Sequence, residues 1–387
     1  MALDRGHYEG RFEALVKHTF LHHYLPALVN KMSFTRDTFV YVDGFAGPWK
    51  SADEHGFSDT SFGIALEALL AAQRIQLGRN RNVRMIAHLV EKDQVAFSQL
   101  EQLTKKYPTM DIKIYCGEFQ EHLTTILQSL SDSDFCFSFI DPKGFGLDLD
   151  VLEPILSRAS SEVLVNFMYD HANRFASHPI QGVKDTINAM ILGSEWRARL
   201  EEAQTPNERE AVFLEAFKIG LKQTGRYKFV PSLTVQKTLA DRTYYHLVFG
   251  TRHPEGLAVF RQSQIKALEA QAEVRASEKS KARTAKSGQH DLFSGADMVQ
   301  QDAGSMEIAD GKSRGAAFAK QLVANRPLGI AWSELWPTVL ESFTIRRSDL
   351  GHAMNELRKL GEIDAPGWPS ERHSKPQDGQ LFAPKAS

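Results

Sequence analysis

The stretch Thr38-Phe-Val-Tyr-Val-Asp-Gly-Phe-Ala-Gly-Pro48 decides the fold. Thr38 to Val42 are β-branched or aromatic and read as a strand, and the Gly44-Phe45-Ala46-Gly47-Pro48 segment that follows reads as a Gly-rich turn. The alternation repeats downstream. Val83 to Val90, Asp111 to Tyr115, Phe135 to Ile140 and Val163 to Phe167 are strand-like. Helical patterns separate them: Thr60 to Gln76, Lys92 to Lys106, Glu118 to Leu130 and Leu149 to Arg158. Upstream, Phe12, Leu15, Val16, Phe20 and Leu28 repeat at helical spacing, with Pro26 as a possible kink. Strand–helix repetition predicts a parallel sheet covered by helices on both faces, an α/β Rossmann-like fold. Farther on, Thr205-Pro206-Asn207-Glu208 is a capping box opening a helix to about Thr224, and Lys228–Lys237 and Thr243–Thr251 predict an antiparallel pair completing the sheet.

In such a sheet ligands bind beyond the carboxyl ends of the strands. Polar features stand at four of those ends: Asp43-Gly44-Phe45-Ala46-Gly47, then Glu91, then Gly117-Glu118, then Asp141-Pro142-Lys143-Gly144-Phe145-Gly146. Glycines let a backbone approach a ligand, Asp43 can accept from an ammonium or hydroxyl, and a carboxylate such as Glu91 offers two oxygens to ribose hydroxyls. Singly, each has a plain explanation as a turn or a helix-start acid. Together and in order, they predict a nucleotide-type cofactor site. A dinucleotide fingerprint would need G-x-G-x-x-G and an acid about 20 residues on. Gly44 and Gly47 do not supply it, so the pattern fits S-adenosylmethionine, which has ribose and adenine but no phosphate.

YVDGFAGP resembles the first motif of class I methyltransferases, and FIDPKGFG resembles their fourth. The order KHTFLHHYLPAL, DGFAGP, LVEKD, FSFIDPKGFG, LVNFMYDHANRF and YYHLVFGTRHPEG, over about residues 10 to 260, is similar to the three-Cys-motif partner protein (TcmP) family. That resemblance implies a methyltransferase-like fold, a C-terminal winged helix, a bacterial or mobile-element setting and a partner with three cysteines. By this reading Asp43, Gly44, Phe45, Gly47, Glu91 and Glu118 hold S-adenosylmethionine, and Asp141, Pro142, Asn166 and Asp170 are the catalytic candidates. One departure matters. Methyltransferases acting on base amines carry Asp/Asn-Pro-Pro-aromatic in the fourth motif; here Lys143 replaces the second Pro and Phe145 falls one place late.

Tyr169, Asp170, His171, Asn173, Arg174 and His178 form a polar loop at the expected catalytic edge, with Asp141, Asp170 or His171 as the candidate base. His18 and His22 lie one helical turn apart, but no acid or Cys motif accompanies them, so a packed or solvated helix face is expected and no metal. Cys116 and Cys136 lie near strand positions and are expected to be buried.

From Ala272 to Arg314 large apolar residues are sparse, which predicts a basic, flexible linker between a domain over 1–271 and a winged helix over 315–367, with a disordered tail over 368–387. In the C-terminal module, Leu350, Met354, Leu357 and Leu360 form an apolar stripe after Ser348, a candidate N-cap. Arg346, Arg347, Asn355, Arg358 and Lys359 around that helix are the candidate contacts to DNA.

The chain has 387 residues and a net charge of −2, which excludes a uniformly basic nucleic-acid binder. Yet Arg275 to Lys286 holds five Lys/Arg against one Glu, so any nucleic-acid contact is expected to be local and salt-sensitive. No CxxC, signal-peptide core or run of about 18 apolar residues is present, which predicts a cytoplasmic protein with no membrane contact. Two functions fit: S-adenosylmethionine-dependent methyl transfer to nucleic acid or a partner-delivered substrate, and a non-catalytic cofactor-sensing DNA-binding partner of a three-Cys protein.

Overall fold

The computed structural model describes residues 3–47, 51–53, 56–142, 144, 147–175, 181–191, 195–287, 295–369 and 374–385; the side chains of 175 and 181–184 also lie outside the description. Pro48, Lys143, Phe145, Gly146 and His178 therefore fall outside it. The chain divides into two compact units, Met1–His253 and Pro254–Ser387.

The first unit is built on a seven-stranded sheet. Its strands are β1 (Thr38–Asp43), β2 (Arg84–Glu91), β3 (Asp111–Cys116), β4 (Phe135–Ile140), β5 (Ser161–Phe167), β6 (Ser232–Gln236) and β7 (Thr243–Gly250). The order is β3-β2-β1-β4-β5-β7-β6. β1 to β5 run parallel, while β7 lies antiparallel to both β5 and β6. The order reverses at β1, between β2 and β4, which puts a switch point at the Gly-rich turn. A mostly parallel sheet with this order and an antiparallel β7 is the class I methyltransferase fold.

Helices α1 (Phe12–Thr35), α2 (Ser61–Leu77), α3 (Gln94–Thr104), α4 (Phe119–Gln128), α5 (Leu149–Leu156), α6 (Tyr169–Phe175), α7 (Gln181–Met190), α8 (Glu195–Glu202) and α9 (Pro206–Gly225) surround the sheet. Alternation along the strands sorts the core. Val40, Val42, Cys136, Ile140, Val163 and Val165 join one cluster with side chains of α4, α5 and α9. The intervening Phe39, Tyr41 and Phe137 are also buried, and Tyr24 of α1 packs on Phe137 at 5.6 Å between ring centres. Both faces are thus apolar, which is why the strands read as near-continuous hydrophobic runs. Thr60 caps α2 by accepting from the Gly63 amide, and the Thr205–Glu208 capping box opens α9 as the sequence predicts. Pro26 lies inside α1, which runs on to Thr35.

The second unit contains α10 (Pro254–Ser287), α11 (Gly295–Gln300), α12 (Ala303–Ala324), α13 (Trp332–Ser342) and α14 (Arg347–Lys359), with β8 (Ile330–Ala331), β9 (Ile363–Asp364) and β10 (Leu381–Pro384). β10 pairs antiparallel with both β8 and β9. Four expectations change here. The unit boundary falls after His253, not at 271. The stretch expected to be a linker supplies the end of α10, α11 and half of α12, because its few polar anchors are buried: Arg275 Nε donates to Asp302 Oδ2 at 2.7 Å, and Asp302 Oδ1 caps α12. The expected disordered tail holds the central strand of the small sheet, since Phe382 buries its ring against Trp332 and Trp368. Ser348 is not the N-cap of α14; Arg346 occupies that position. Gly361 does close the helix, its N–H donating to Arg358 O while Glu362 N–H donates to Leu357 O, a Schellman arrangement.

Candidate functional site

A cavity of about 500 Å³ opens in the first unit at the carboxyl ends of the parallel strands. Gly44, Phe45 and Gly47 after β1, Glu91 at the end of β2, Glu118 after β3, Asp141 and Pro142 after β4, and Asn166 near the end of β5 all line it. Residues up to 122 positions apart in sequence meet because parallel pairing brings every strand end to one edge.

The Gly-rich turn is fixed on both sides. Gly44 N–H donates to Phe139 O at 3.1 Å, and Ala46 N–H donates to Val90 O at 2.8 Å. A Cβ on Gly44 would meet the Phe119 ring at 3.0 Å, so the close approach of turn to α4 requires glycine. Gly117, at φ +140°, is needed for a second reason: a Cβ there would lie 2.7 Å from both Glu121 Oε2 and His122 Nε2. Glu91 is nearly buried, and its Oε1 accepts from the Asp93 amide at 2.6 Å. Glu118 sits at the rim, more exposed, with Lys92 Nζ 3.7 Å from Oε1.

Asp43 does not line the cavity. It is fully buried behind the turn, its Oδ1 accepting from the Phe45 amide and its Oδ2 from Tyr41 and Ser61 hydroxyls, each at 3.0 Å. Burial pushes its carboxyl up to about 6, against the pull of those three hydrogen bonds, with Asp141 adding like-charge repulsion. Asp43 therefore shapes the turn and does not reach a ligand directly.

At the opposite wall, Asp141 accepts from Lys17 Nζ through Oδ2 and from Asn166 Nδ2 through Oδ1, both at 2.5 Å. Asn166 Oδ1 is buried without a hydrogen-bond partner among the described residues. An orphaned acceptor beside a cavity is costly unless a ligand supplies its donor.

Asp170 is not at this wall. Its carboxylate gathers Arg174 at 2.9 Å, Lys237 at 3.1 Å and Arg242 at 3.5 Å. Burial tends to raise its pKa, but the Lys237 hydrogen bond and the three cations bring it below the usual value. A base needs a carboxylate that reaches the reacting proton, and Asp170 does not line the cavity. Tyr169, expected in the polar loop, is core, packed on Phe213 and His246.

The sequence reading missed the wall that α1 contributes. Gly10, Ala14 and Lys17, with Arg11 and His18, line the cavity at helical spacing. Arg11 pairs with Asp59, which also accepts from Ser51 Oγ and the Ala52 amide. His18 is buried with Tyr8 Oη 3.0 Å from Nδ1, and burial pulls its pKa well down. The polar residues Arg11, Lys17 and His18 at the start of α1 were the available signal. Tyr244 and Tyr245 of β7 complete the wall. No cluster of three or more metal-ligating side chains occurs among the described residues. Cys136 is buried as expected, whereas Cys116 is exposed at the end of β3.

In the second unit the candidate DNA contacts are mostly taken. Arg346 pairs with Glu269 at 3.1 Å. Arg347 pairs with Glu255 and Asp378 and lies over the Trp336 ring. Asn355 is buried and accepts from Arg358, which lies over Trp368, and Lys359 pairs with Glu356. Arg346 and Arg347 reach carboxylates remote in sequence, which helical periodicity does not reveal, while Arg358 and Lys359 bond one turn back along α14. The apolar stripe also ends early, because Leu360 is exposed.

Fold and cavity together define a Rossmann-like domain of the class I methyltransferase type. No family model and no curated sequence matches the chain. Among solved structures, protein LPL1258 from Legionella pneumophila aligns at 10% identity over 62% of this chain and 85% of its own, with a TM-score of 0.36. TYW2 from M. jannaschii, solved with AdoMet, aligns at 12% identity over 58% and 73%, TM-score 0.28. The O-methyltransferase TomG from Streptomyces achromogenes, solved with SAM, aligns at 11% over 60% and 79%, TM-score 0.28. The fold assignment stands on strand order and pairing, not on these values. Among the described residues no helix is long and apolar enough to cross a membrane.

Proposed function

We propose that this chain is an S-adenosylmethionine-dependent methyltransferase. The observation that carries the reading is the convergence of Gly44–Gly47, Glu91, Asp141 and Asn166, from four separate strand ends, on one cavity of about 500 Å³. The donor set suits that cofactor. Glu91 would take ribose hydroxyls, and the backbone of the Gly-rich turn would border the methionine moiety. Glu118 and the apolar side chains of Phe119 and Ile140 would flank the adenine. Gly44 and Gly47 lack the G-x-G-x-x-G spacing of a dinucleotide cradle.

When bound, the cofactor supplies an activated methyl group on a sulfonium. The chain's part is to align the acceptor and to receive its proton. We assign that contact to Asp141, which lines the cavity. Lys17 and Asn166 hold it in one orientation, and Asn166 Oδ1 remains open to a donor from the acceptor. Pro142 forms the adjoining wall.

The resemblance to TcmP proteins adds a partner, a three-Cys-motif protein, and a bacterial mobile-element or defence setting. For the second unit we propose a winged-helix-like scaffold that serves contacts other than DNA reading through α14, since the basic side chains there are engaged.

Calorimetry with S-adenosylmethionine tests the proposal. One-to-one binding that Glu91→Ala weakens strongly is expected, and absence of binding to the folded full chain overturns it. Transfer of labelled methyl to nucleic acid or to the partner separates an enzyme from a cofactor-sensing partner protein. Asp141→Ala should retain cofactor binding and lose that transfer.

A further inference from the structure

Resting on the cofactor reading above, we propose that the acceptor is carried on a nucleic-acid strand whose phosphodiester backbone docks on a cationic rim organised by Asp170. Asp170 Oδ2 holds Arg174 Nη2 and Lys237 Nζ, and its Oδ1 lies 3.5 Å from Arg242 Nη2. One carboxylate thus gathers three cations, and the neighbouring acid Glu210 is turned to Thr243 and His246. Arg209, bonded through Nε to Asn173 Oδ1 at 3.3 Å, adds a fourth cation beside α6. Arg174 and Arg242 are about 60% exposed, at 59% and 63%, while Asp170 is 15% exposed. The acid is on the inside and the guanidinium groups face solvent.

This arrangement differs from an ordinary surface ion pair. A lone pair neutralises itself, whereas a shared, mostly buried acid fixes several cations near one another while cancelling only one charge. Guanidinium forks held this way offer donors to phosphate oxygens, which are bound well in bidentate geometry.

The rim is continuous with the cavity. Lys237 Nζ lies over the Tyr244 ring at 5.6 Å, and Tyr244 lines the cavity. Asp170 follows Met168 and Tyr169 directly after β5, and Met168 also lines the cavity. A strand anchored by phosphates at the rim would present a base toward Tyr244, Pro142 and Asp141. An aromatic wall next to a phosphate-binding edge is what an unstacked base requires. The near-neutral chain as a whole does not oppose this, because phosphate contact is a local field effect.

The test uses the full chain and fluorescent single-stranded DNA and RNA oligonucleotides titrated between about 50 and 200 mM salt. Salt-sensitive binding is expected, and the tighter of the two strands identifies the backbone. Arg174→Glu with Arg242→Glu should weaken binding at least tenfold and flatten the salt slope by about one unit per lost phosphate contact. Affinity for S-adenosylmethionine should stay unchanged in the same variant, which also reports its folding. The milder Arg174→Ala should give a smaller loss in the same direction. Wild-type protein that binds the cofactor but no oligonucleotide, or variants that bind oligonucleotide like wild type, overturns the rim. Rim-dependent oligonucleotide binding without cofactor binding supports the rim and overturns the cofactor reading.

Discussion

The strand-end edge of the first unit and the α14 face of the second are both rich in polar side chains, but those side chains do different work. At the edge, Glu91, Asp141 and Asn166 surround open volume, and one buried acceptor has no partner among the described residues. On α14, Arg346, Arg347, Arg358 and Lys359 turn back onto carboxylates, an amide and indole rings of their own unit. The edge keeps hydrogen-bonding capacity in reserve for a ligand. The α14 face has used its capacity within its own unit, around a core that includes Trp332, Leu335, Leu350 and Phe382. The difference teaches that polar density alone does not mark a site; what counts is whether the groups are satisfied from within.

The sharpest way to break that contrast is at Arg275. Its guanidinium and the Asp302 carboxylate are each only 3% exposed. Arg275→Met would leave Asp302 buried without its charge partner, a change that costs about 3–5 kcal/mol. Denaturant unfolding of the full chain should show that loss in the transition of the second unit. Cofactor affinity should not change. If the second unit keeps its stability, internal pairing is not what holds it.

The next largest effect belongs to the edge. Hydrogen bonds to a charged group contribute about 1.5–3 kcal/mol each, so Glu91→Ala should lower S-adenosylmethionine affinity on the order of 100-fold. Stability should fall much less, because Glu91 makes its bond to Asp93 at the very end of β2. Calorimetry and a thermal melt on the same variant separate the two quantities. Equal affinity with and without Glu91 would remove it from the site.

These two regions also differ in how far they could be read from the chain. Strand ends were legible because a parallel sheet converts position in sequence into position in space: a polar residue after an apolar run such as Phe135–Ile140 must lie at the ligand edge. What was hidden depends on contacts without local periodicity. Asp43 sits at the correct edge, but the next hydroxyls, Tyr41 and Ser61, turned it inward. Lys17 reaches Asp141 across 124 positions, and no pattern near either residue announces the other. Asp170 looked catalytic from its neighbours, while its cations come from Lys237 and Arg242 on the β6–β7 hairpin. The tail strand β10 has only four residues and follows a polar stretch, too short for alternation to register.

Asp43 gives a third test, which sharpens the distinction between lining a site and supporting it. Its carboxyl titrates at about 6 in the folded chain against 3.8 ordinarily. The folded state therefore holds the proton more tightly than the unfolded state. The stability this contributes is fully present below the ordinary value and is lost as pH rises through about 6. At roughly 1.4 kcal/mol per unit, the loss is at most ~3 kcal/mol. Asn can keep the Phe45 amide bond and donate to the two hydroxyls, so Asp43→Asn should fold. Thermal midpoints of wild type and variant should draw apart, in favour of the variant, as pH rises from 4 to 7. Parallel curves would mean that burial does not raise the Asp43 carboxyl.

The smallest expected effect tests the α14 side directly. Arg346 is paired with Glu269 and Lys359 with Glu356, all partly exposed. Exposed pairs of this kind contribute about 0–1 kcal/mol, so Arg346→Ala with Lys359→Ala should move the unfolding midpoint little. The same reasoning fixes its effect on nucleic acid. A phosphate that recruits Arg346 must compete with a carboxylate already 3.1 Å away, whereas Arg174 and Arg242 share a single acid with Lys237. The double alanine variant on α14 should therefore change oligonucleotide affinity less than about twofold and leave the salt slope intact. A tenfold loss there, with rim variants silent, would reverse the assignment of the two faces and make the second unit the nucleic-acid reader.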